Sequence, residues 1–235
     1  MKVLLLGATG LIGHHCLGYL LGIQQIAEVI APTRRSLQVK HQNLHNMLVD
    51  FDRLDEYPEL FEVDAILCCL GTTIKQAGNR ERFKLVDYQY CMDAAELGRA
   101  HSARSFSLVS AVGSSEHSLF FYSRVKGQLE AHLRELEYPK LSIFRPSLLL
   151  GERQENRLGE LAAARLAPLF NPLMVGGLSH YKAIAAETVA RAMVNDMIHD
   201  CRVVNPPDGK PKVQVYSYDK IVKLAENEPK IGEAV

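Results

Sequence analysis

Lys2-Val3-Leu4-Leu5-Leu6-Gly7-Ala8-Thr9-Gly10-Leu11-Ile12-Gly13 decides the fold. Its first half is an apolar run of strand length, without the polar alternation of a strand that faces water, and reads as a strand covered on both faces. Its second half is a GxxGxxG turn that opens a helical stretch over 11–22. Glycine lets the chain turn tightly and brings backbone close to a pyrophosphate. The helix N-terminus behind it presents unpaired N–H groups and the positive end of a dipole. The motif alone would fit a ligand-free turn. Strand, turn and helix in this order select the dinucleotide reading, with Gly7, Ala8, Thr9, Gly10, Leu11, Ile12 and Gly13 as the cofactor loop.

Outward from this unit, short apolar runs alternate with longer amphipathic ones. Strands are expected at Glu28–Thr33, 46–49, 64–70, 105–110 and 141–144, and helices over 80–100 and 118–137. That alternation predicts an α/β fold with a doubly wound parallel sheet, a Rossmann-like NAD(P)-binding fold. Past 150 the rhythm changes. A polar stretch at 152–157 leads to a helical one at 158–166, broken by Pro168 and Pro172. A helix over 187–199 carries Val189, Met193 and Met197 near one face, and a strand at 213–216 and a helix over 219–227 follow. The chain, 1–235, is expected to form one domain in which 150–235 contributes a small C-terminal substrate lobe.

Charge and cysteine usage bound the function. Lys and Arg number 27, as do Asp and Glu, so the balance gives no electrostatic argument for nucleic acid or an anionic membrane. No uncharged apolar run approaches the ~20 residues of a membrane span, and Met1 to Leu6 are too few for a signal-peptide core. The five cysteines contain no CxxC pair. Neither they nor the histidines show metal-ligand spacing, so they read as reduced core thiols and no metal is expected. The expectation is a cytoplasmic protein whose partner is a small molecule.

Arg34-Arg35 follows the second strand, the point that faces the adenosine ribose in a dinucleotide fold. An acid there would bind the 2′-hydroxyl of NAD; guanidinium forks suit the 2′-phosphate of NADP, and NADP(H) is expected in preference to NAD(H). A solvated charged loop is the competing reading. Asp50-Phe51, after the third strand, is a candidate cap for the adenine, although a core Phe beside a turn Asp is equally common.

Tyr122-Ser123-Arg124-Val125-Lys126 sets a tyrosine and a lysine four residues apart, on one helix face. A free phenol, with a pKa of about 10, is a poor acid or base at neutral pH. A neighbouring ammonium stabilises the phenolate, which makes Tyr122 the candidate proton donor or acceptor and Lys126 its partner. Ser110 ends the preceding strand and is the candidate for orienting a carbonyl or alcohol.

With these residues the chain resembles the short-chain dehydrogenase/reductase superfamily in its extended or atypical branch, and within it the Tat-interacting-protein-like oxidoreductases. The resemblance is carried by GATGLIG, by TRR after the second strand, by VDFDRLDEY, by CCLGTT at 68–73, by the block from Ser110 to YxxxKGxxE, and by FRPSLLLGERQENRLGE at 144–160. It implies that Leu70 and Gly71 line the adenosine path and that Lys126 also holds the nicotinamide ribose. It further implies that Leu149 and Arg157 reach the cofactor after the sixth strand; Arg157 on its own would read as a surface charge. Two departures stand out. Typical members carry an Asn in the helix after the fourth strand, where Asp87 is the nearest candidate here. Where they often carry two serines, Val109-Ser110-Ala111 has one, so Ser114 and Ser115 compete with Ser110 for the substrate.

Three functions follow. The first is an NADP(H)-dependent oxidoreductase acting on a carbonyl or alcohol substrate. The second is a cofactor-binding regulatory protein that presents its C-terminal lobe to a protein partner. The third is an epimerase-type isomerase that recycles its cofactor, against which the short C-terminal part counts, because it leaves little to hold a nucleotide sugar. By analogy with the superfamily, a homodimer would form through the helices 80–100 and 118–137.

Overall fold

The computed structural model describes residues 1–150, 182–201 and 210–226. Its centre is a seven-stranded parallel sheet made of β1 (Lys2–Leu6), β2 (Glu28–Thr33), β3 (Leu44–Leu48), β4 (Ala65–Cys68), β5 (Ser105–Val109), β6 (Lys140–Phe144) and a last strand, β9 (Lys212–Tyr216). The strands lie in the order β3-β2-β1-β4-β5-β6-β9. The chain winds outward in one direction from β1 and in the other from β4, so the carboxyl ends of these two neighbours form the switch point where a doubly wound sheet opens a crevice. A separate two-residue pair, β7 (Leu149–Leu150) with β8 (Ile184–Ala185), was not legible in the sequence.

The sheet is covered on both faces, as the unbroken apolar strands require. Val3 and Leu5 point into one core with α1 (Leu11–Leu21), α6 (Ala186–Cys201) and α7 (Tyr218–Glu226). Leu4 and Leu6 point into the other, with α4 (Tyr90–Ala100) and α5 (Phe121–Glu135). Alternate residues of one strand thus feed two cores, and all four are fully buried, which contributes about 1.5–3 kcal/mol for each side chain. In α6, Val189, Met193 and Met197 are buried together, as their spacing predicted.

Element bounds shift where side chains intervene. The long helix expected over 80–100 is interrupted. The short α2 (Ile74–Ala77) and α3 (Arg80–Lys84) lead into a π turn, Leu85–Gln89, before α4 begins. The helix expected from 118 starts at Phe121, because the preceding loop folds over it: Ser115 N–H donates to the Ser123 carbonyl at 3.1 Å, and a Cβ on Gly127 would lie 2.1 Å from the Ser115 carbonyl carbon. The helix expected over 158–166 lies outside the described residues. Among the described residues no helix is long and apolar enough to cross a membrane.

Candidate functional site

The glycine loop crosses the switch point and only glycine fits it. Gly7 has φ +80°, and a Cβ there would sit 2.6 Å from the carbonyl oxygen of Cys69, just beyond β4. At Gly13 a Cβ would sit 2.1 Å from the Gly7 carbonyl oxygen, so helix and turn are in backbone contact. Gly10 N–H donates to the Gly7 carbonyl at 2.9 Å and Gly10 caps α1 without a side-chain hydrogen bond. The first-turn N–H groups therefore face outward without a side-chain acceptor, an arrangement that attracts an anion. Thr9 and Gly10 are exposed and Leu11 half-buried, while the Ala8 and Ile12 side chains are buried in the core. A dinucleotide pyrophosphate fits this cradle through backbone contacts.

The other predicted cofactor residues divide. Arg34 and Arg35 follow β2 and are exposed. Thr33 Oγ1 donates to the Arg35 carbonyl at 2.8 Å and receives Asn46 Nδ2, which fixes the loop backbone. Neither guanidinium has a partner among the described residues. Asp50 accepts the Asp52 N–H at 3.0 Å and caps a short 3-10 turn, and Phe51 is buried against Tyr90 with ring centroids 5.6 Å apart. Asp50 thus serves as a local cap and Phe51 as a core residue. Leu70 is half-buried and Gly71 exposed at the end of β4. Leu149 is half-buried against the α1 side of the core; Arg157 lies outside the described residues.

Helix α5 sets Tyr122, Lys126 and Glu130 along one face. Tyr122 is 38% exposed in the first turn, its ring 5.6 Å from that of Phe83 in α3. One turn on, Lys126 is buried and its Nζ lies 2.9 Å from Oδ1 of Asp87, itself 1% exposed in the π turn. The other Asp87 oxygen accepts the Thr72 N–H at 2.7 Å. Burial pulls the ammonium pKa of Lys126 down, but the charge of Asp87, with Tyr122 and Cys91 adding to it, reverses the sign, and the net shift is upward. Lys126 is therefore protonated across the physiological range.

Two turns from Tyr122, Glu130 is 1% exposed and held by Arg145 through both carboxylate oxygens. It also accepts the Ser110 hydroxyl at 2.6 Å, and Ser114 Oγ is 3.1 Å from Ser110 Oγ. The structure therefore commits the Ser110 hydroxyl to a buried carboxylate and the Ser114 hydroxyl to the Ala111 carbonyl at 2.8 Å, and of the three candidates only Ser115 is exposed. Sequence reasoning could not place Asp87 and missed Glu130 and Arg145. The extension of YxxxK to YxxxKxxxE was the available signal, since an acid at i+8 continues the same helix face.

The family pattern of the NAD dependent epimerase/dehydratase family matches residues 3–195, which takes in the glycine loop, the Asp87 turn and all of α5. The chain belongs to the NAD dependent epimerase/dehydratase family. Its relatives include Protein HTATIP2 of Rattus norvegicus, 39% identical over 201 residues, covering 84% of this chain and 81% of that protein. Protein FMP52-1, mitochondrial, of Scheffersomyces stipitis is 32% identical over 185 residues, 77% of this chain and 76% of that protein. The resemblance to the Tat-interacting-protein-like oxidoreductases stands on the first of these. Among solved structures, MoeE5 in complex with UDP-glucose and NAD superposes with a TM-score of 0.65 at 14% identity, covering 96% of this chain and 81% of that one. Such a likeness shows the α/β NAD(P)-binding fold.

Two expectations are corrected. The expected preference for NADP(H) over NAD(H) is overturned: the family is described as NAD dependent, and MoeE5 and other solved structures of this fold hold NAD. The physical reason lies in Arg34 and Arg35. Two exposed guanidinium groups with no ion pair among the described residues fit the competing reading, a solvated charged loop. The cytoplasmic expectation also falls, because the FMP52 relatives are mitochondrial proteins by name. Unpaired thiols argue only against an oxidising compartment, which does not separate the cytosol from other reducing ones.

Proposed function

We propose that this chain is an NAD(H)-dependent enzyme that oxidises or reduces a carbon bearing a hydroxyl or carbonyl group, with Tyr122 as the group that takes or gives the proton. The observation that carries this reading is the exposed Tyr122 one turn from a buried, charge-paired Lys126, on the same carboxyl edge of the sheet as the glycine cradle. NAD, when bound, supplies the hydride acceptor. The backbone of 7–13 would hold its pyrophosphate, Leu70 and Gly71 would flank the adenosine path, and Lys126 would hold the ribose and stabilise negative charge developing on Tyr122. The substrate lobe expected at 150–235 lies in part outside the described residues.

Oxidation of an alcohol is the first half of an epimerase reaction and the whole of a dehydrogenase reaction. Membership of the epimerase/dehydratase family favours the epimerase-type reading, with the cofactor recycled on the enzyme and a nucleotide sugar, of the kind MoeE5 holds, as substrate class. A second reading, net turnover of a smaller apolar carbonyl compound, is favoured by Leu119 and Phe120, which stand 93% and 77% exposed just ahead of Tyr122.

The test uses purified protein with NAD and UDP-glucose or UDP-glucuronic acid, and with NADH and a panel of aldehydes and ketones, read by nicotinamide absorbance and product chromatography. Turnover is expected to fall about 10²–10⁴-fold in Tyr122→Phe, with NADH binding retained. Tight binding of NADH with no turnover of any compound would overturn the enzymatic reading in favour of a binding role.

A further inference from the structure

We propose that Asp87 is a positioning residue whose single carboxylate ties the cofactor-side loop after β4 to Lys126 and serves as that lysine's counter-ion. One oxygen of Asp87 meets the Lys126 ammonium at 2.9 Å and the other accepts the Thr72 backbone N–H at 2.7 Å. The loop backbone lies directly on this pair: a Cβ on Gly71 would sit 3.4 Å from Asp87 Oδ1 and 3.9 Å from Lys126 Nζ. Asp87 reaches inward from the π turn Leu85–Gln89, a distortion that interrupts the helix ladder and recurs at functional sites. A neutral amide in this place would offer one acceptor oxygen and no charge; the carboxylate offers an oxygen to each partner.

Among the described residues the surroundings offer no substitute counter-ion. Lys126 faces Asp87 from the π turn, Tyr122 from its own helix, Cys91 from α4 and Cys68 from β4, with the Val109 carbonyl of β5 at 3.5 Å. Asp87 is the one carboxylate among them. A desolvated ammonium without a counter-ion sheds its proton more easily, so replacing Asp87 by Asn lowers the pH at which Lys126 loses its charge. The same change leaves one acceptor oxygen for two donors, the Thr72 N–H and the ammonium, so the loop that lines the adenosine path is held less firmly. The second effect rests on the NAD(H) reading above; the first does not.

The experiment is a pH titration of the ligand-free full chain carrying ¹³Cε-labelled lysine, followed by NMR, with the Lys126 signal assigned by its loss in Lys126→Met. In the wild type the signal is expected to stay at its ammonium position up to about pH 10. In Asp87→Asn its midpoint is expected to fall by about one pH unit or more. Coincident titrations in the two proteins overturn the proposal. Because Asp87→Asn risks misfolding, amide hydrogen exchange at Thr72 gives an independent reading: Lys126→Met releases Asp87 and is expected to speed exchange there about ten-fold, and unchanged exchange overturns the tie between loop and lysine. Calorimetry with NADH supplies the third arm. Affinity is expected to be level from about pH 6 to about pH 9 in the wild type and to decline with pH in Asp87→Asn. Wild-type protein that binds no NADH sinks the cofactor reading, and the NMR titration then still decides for or against Asp87.

Discussion

Two buried lysine–aspartate pairs occupy this fold, and their surroundings differ in a way that separates a site from a staple. Lys140, at the start of β6, meets Asp196 of α6 at 2.8 Å. The same Asp196 oxygen accepts Ser142, the other accepts the Tyr216 hydroxyl at 2.6 Å, and Lys140 also donates to the Asp196 carbonyl at 2.7 Å. Both carboxylate oxygens are engaged by side chains of β6 and β9, so the pair fastens the last strand and helix to the sheet. Lys126 has Asp87 at 2.9 Å and a carbonyl at 3.5 Å, and its third N–H has no partner among the described residues. It also sits beside an exposed tyrosine and a bare glycine backbone. The first pair is thus tied into three elements by shared side-chain hydrogen bonds, whereas the second leaves an ammonium N–H open among the described residues, as the role proposed for Lys126 requires.

The largest effects come from breaking either pair on one side. Lys140→Met and Lys126→Met each leave a carboxylate buried without its cation and are expected to cost about 3–5 kcal/mol of stability, read by denaturant unfolding. The comparison then sharpens, because NADH affinity in Lys140→Met should stay within about two-fold of wild type, a difference below about 0.4 kcal/mol. A ten-fold loss there would show that the staple also shapes the site, and the distinction would fail.

Removing both charges tests the distinction differently. Lys140→Met with Asp196→Leu, and Lys126→Met with Asp87→Leu, replace ions by apolar groups of similar volume, and stability is expected to recover most of the single-variant loss. Binding should not recover at the second pair: calorimetry with NADH is expected to show an affinity lower by about ten-fold or more, roughly 1.4 kcal/mol. Full recovery of binding would reduce Lys126 to a second staple.

A smaller effect appears with pH. The Lys126 pKa is raised in the folded chain, so its contribution is fully present below the unfolded lysine value of about 10.4 and is lost only as pH rises through the higher folded value. The stability difference between wild type and the Lys126→Met, Asp87→Leu variant should therefore be constant from about pH 7 to about pH 10 and shrink above it. A difference that changes between pH 7 and pH 9 would mean that Asp87 does not hold the proton on Lys126.

Much of the sheet was legible because its signals are local. β1 with its glycine turn, β2, the core face of α6 and the order of alternation all follow from apolar runs and glycine spacing within a dozen residues. Tyr122 and Lys126 were legible because a helix puts i and i+4 together. What escaped was non-local. The partner of Lys126 stands 39 residues away in sequence, in a π turn that no periodicity announces, and the buried Glu130 is met by Arg145 just past β6 and by Ser110 just past β5. Ser110 looked free for a substrate because its acceptor lay on another element. Phe51 shows the converse: position suggests an adenine contact, and only the fold reveals that its ring also packs against Tyr90.

The smallest effect concerns the other charged group read as functional. Arg34 and Arg35 are exposed, unanchored and carried by a loop whose backbone is fixed by Thr33 and Asn46 rather than by the guanidinium groups. An exposed charge contributes little to stability or to a neutral ribose hydroxyl, so Arg34→Ala with Arg35→Ala should change unfolding free energy by less than about 0.5 kcal/mol and NADH affinity by less than about two-fold. The same two substitutions would be costly if a fixed fork were part of the cofactor site. A ten-fold loss of NADH affinity would therefore place these arginines with Lys126 among the working charges of the fold, and would show that exposure alone does not separate a solvated cation from a binding one.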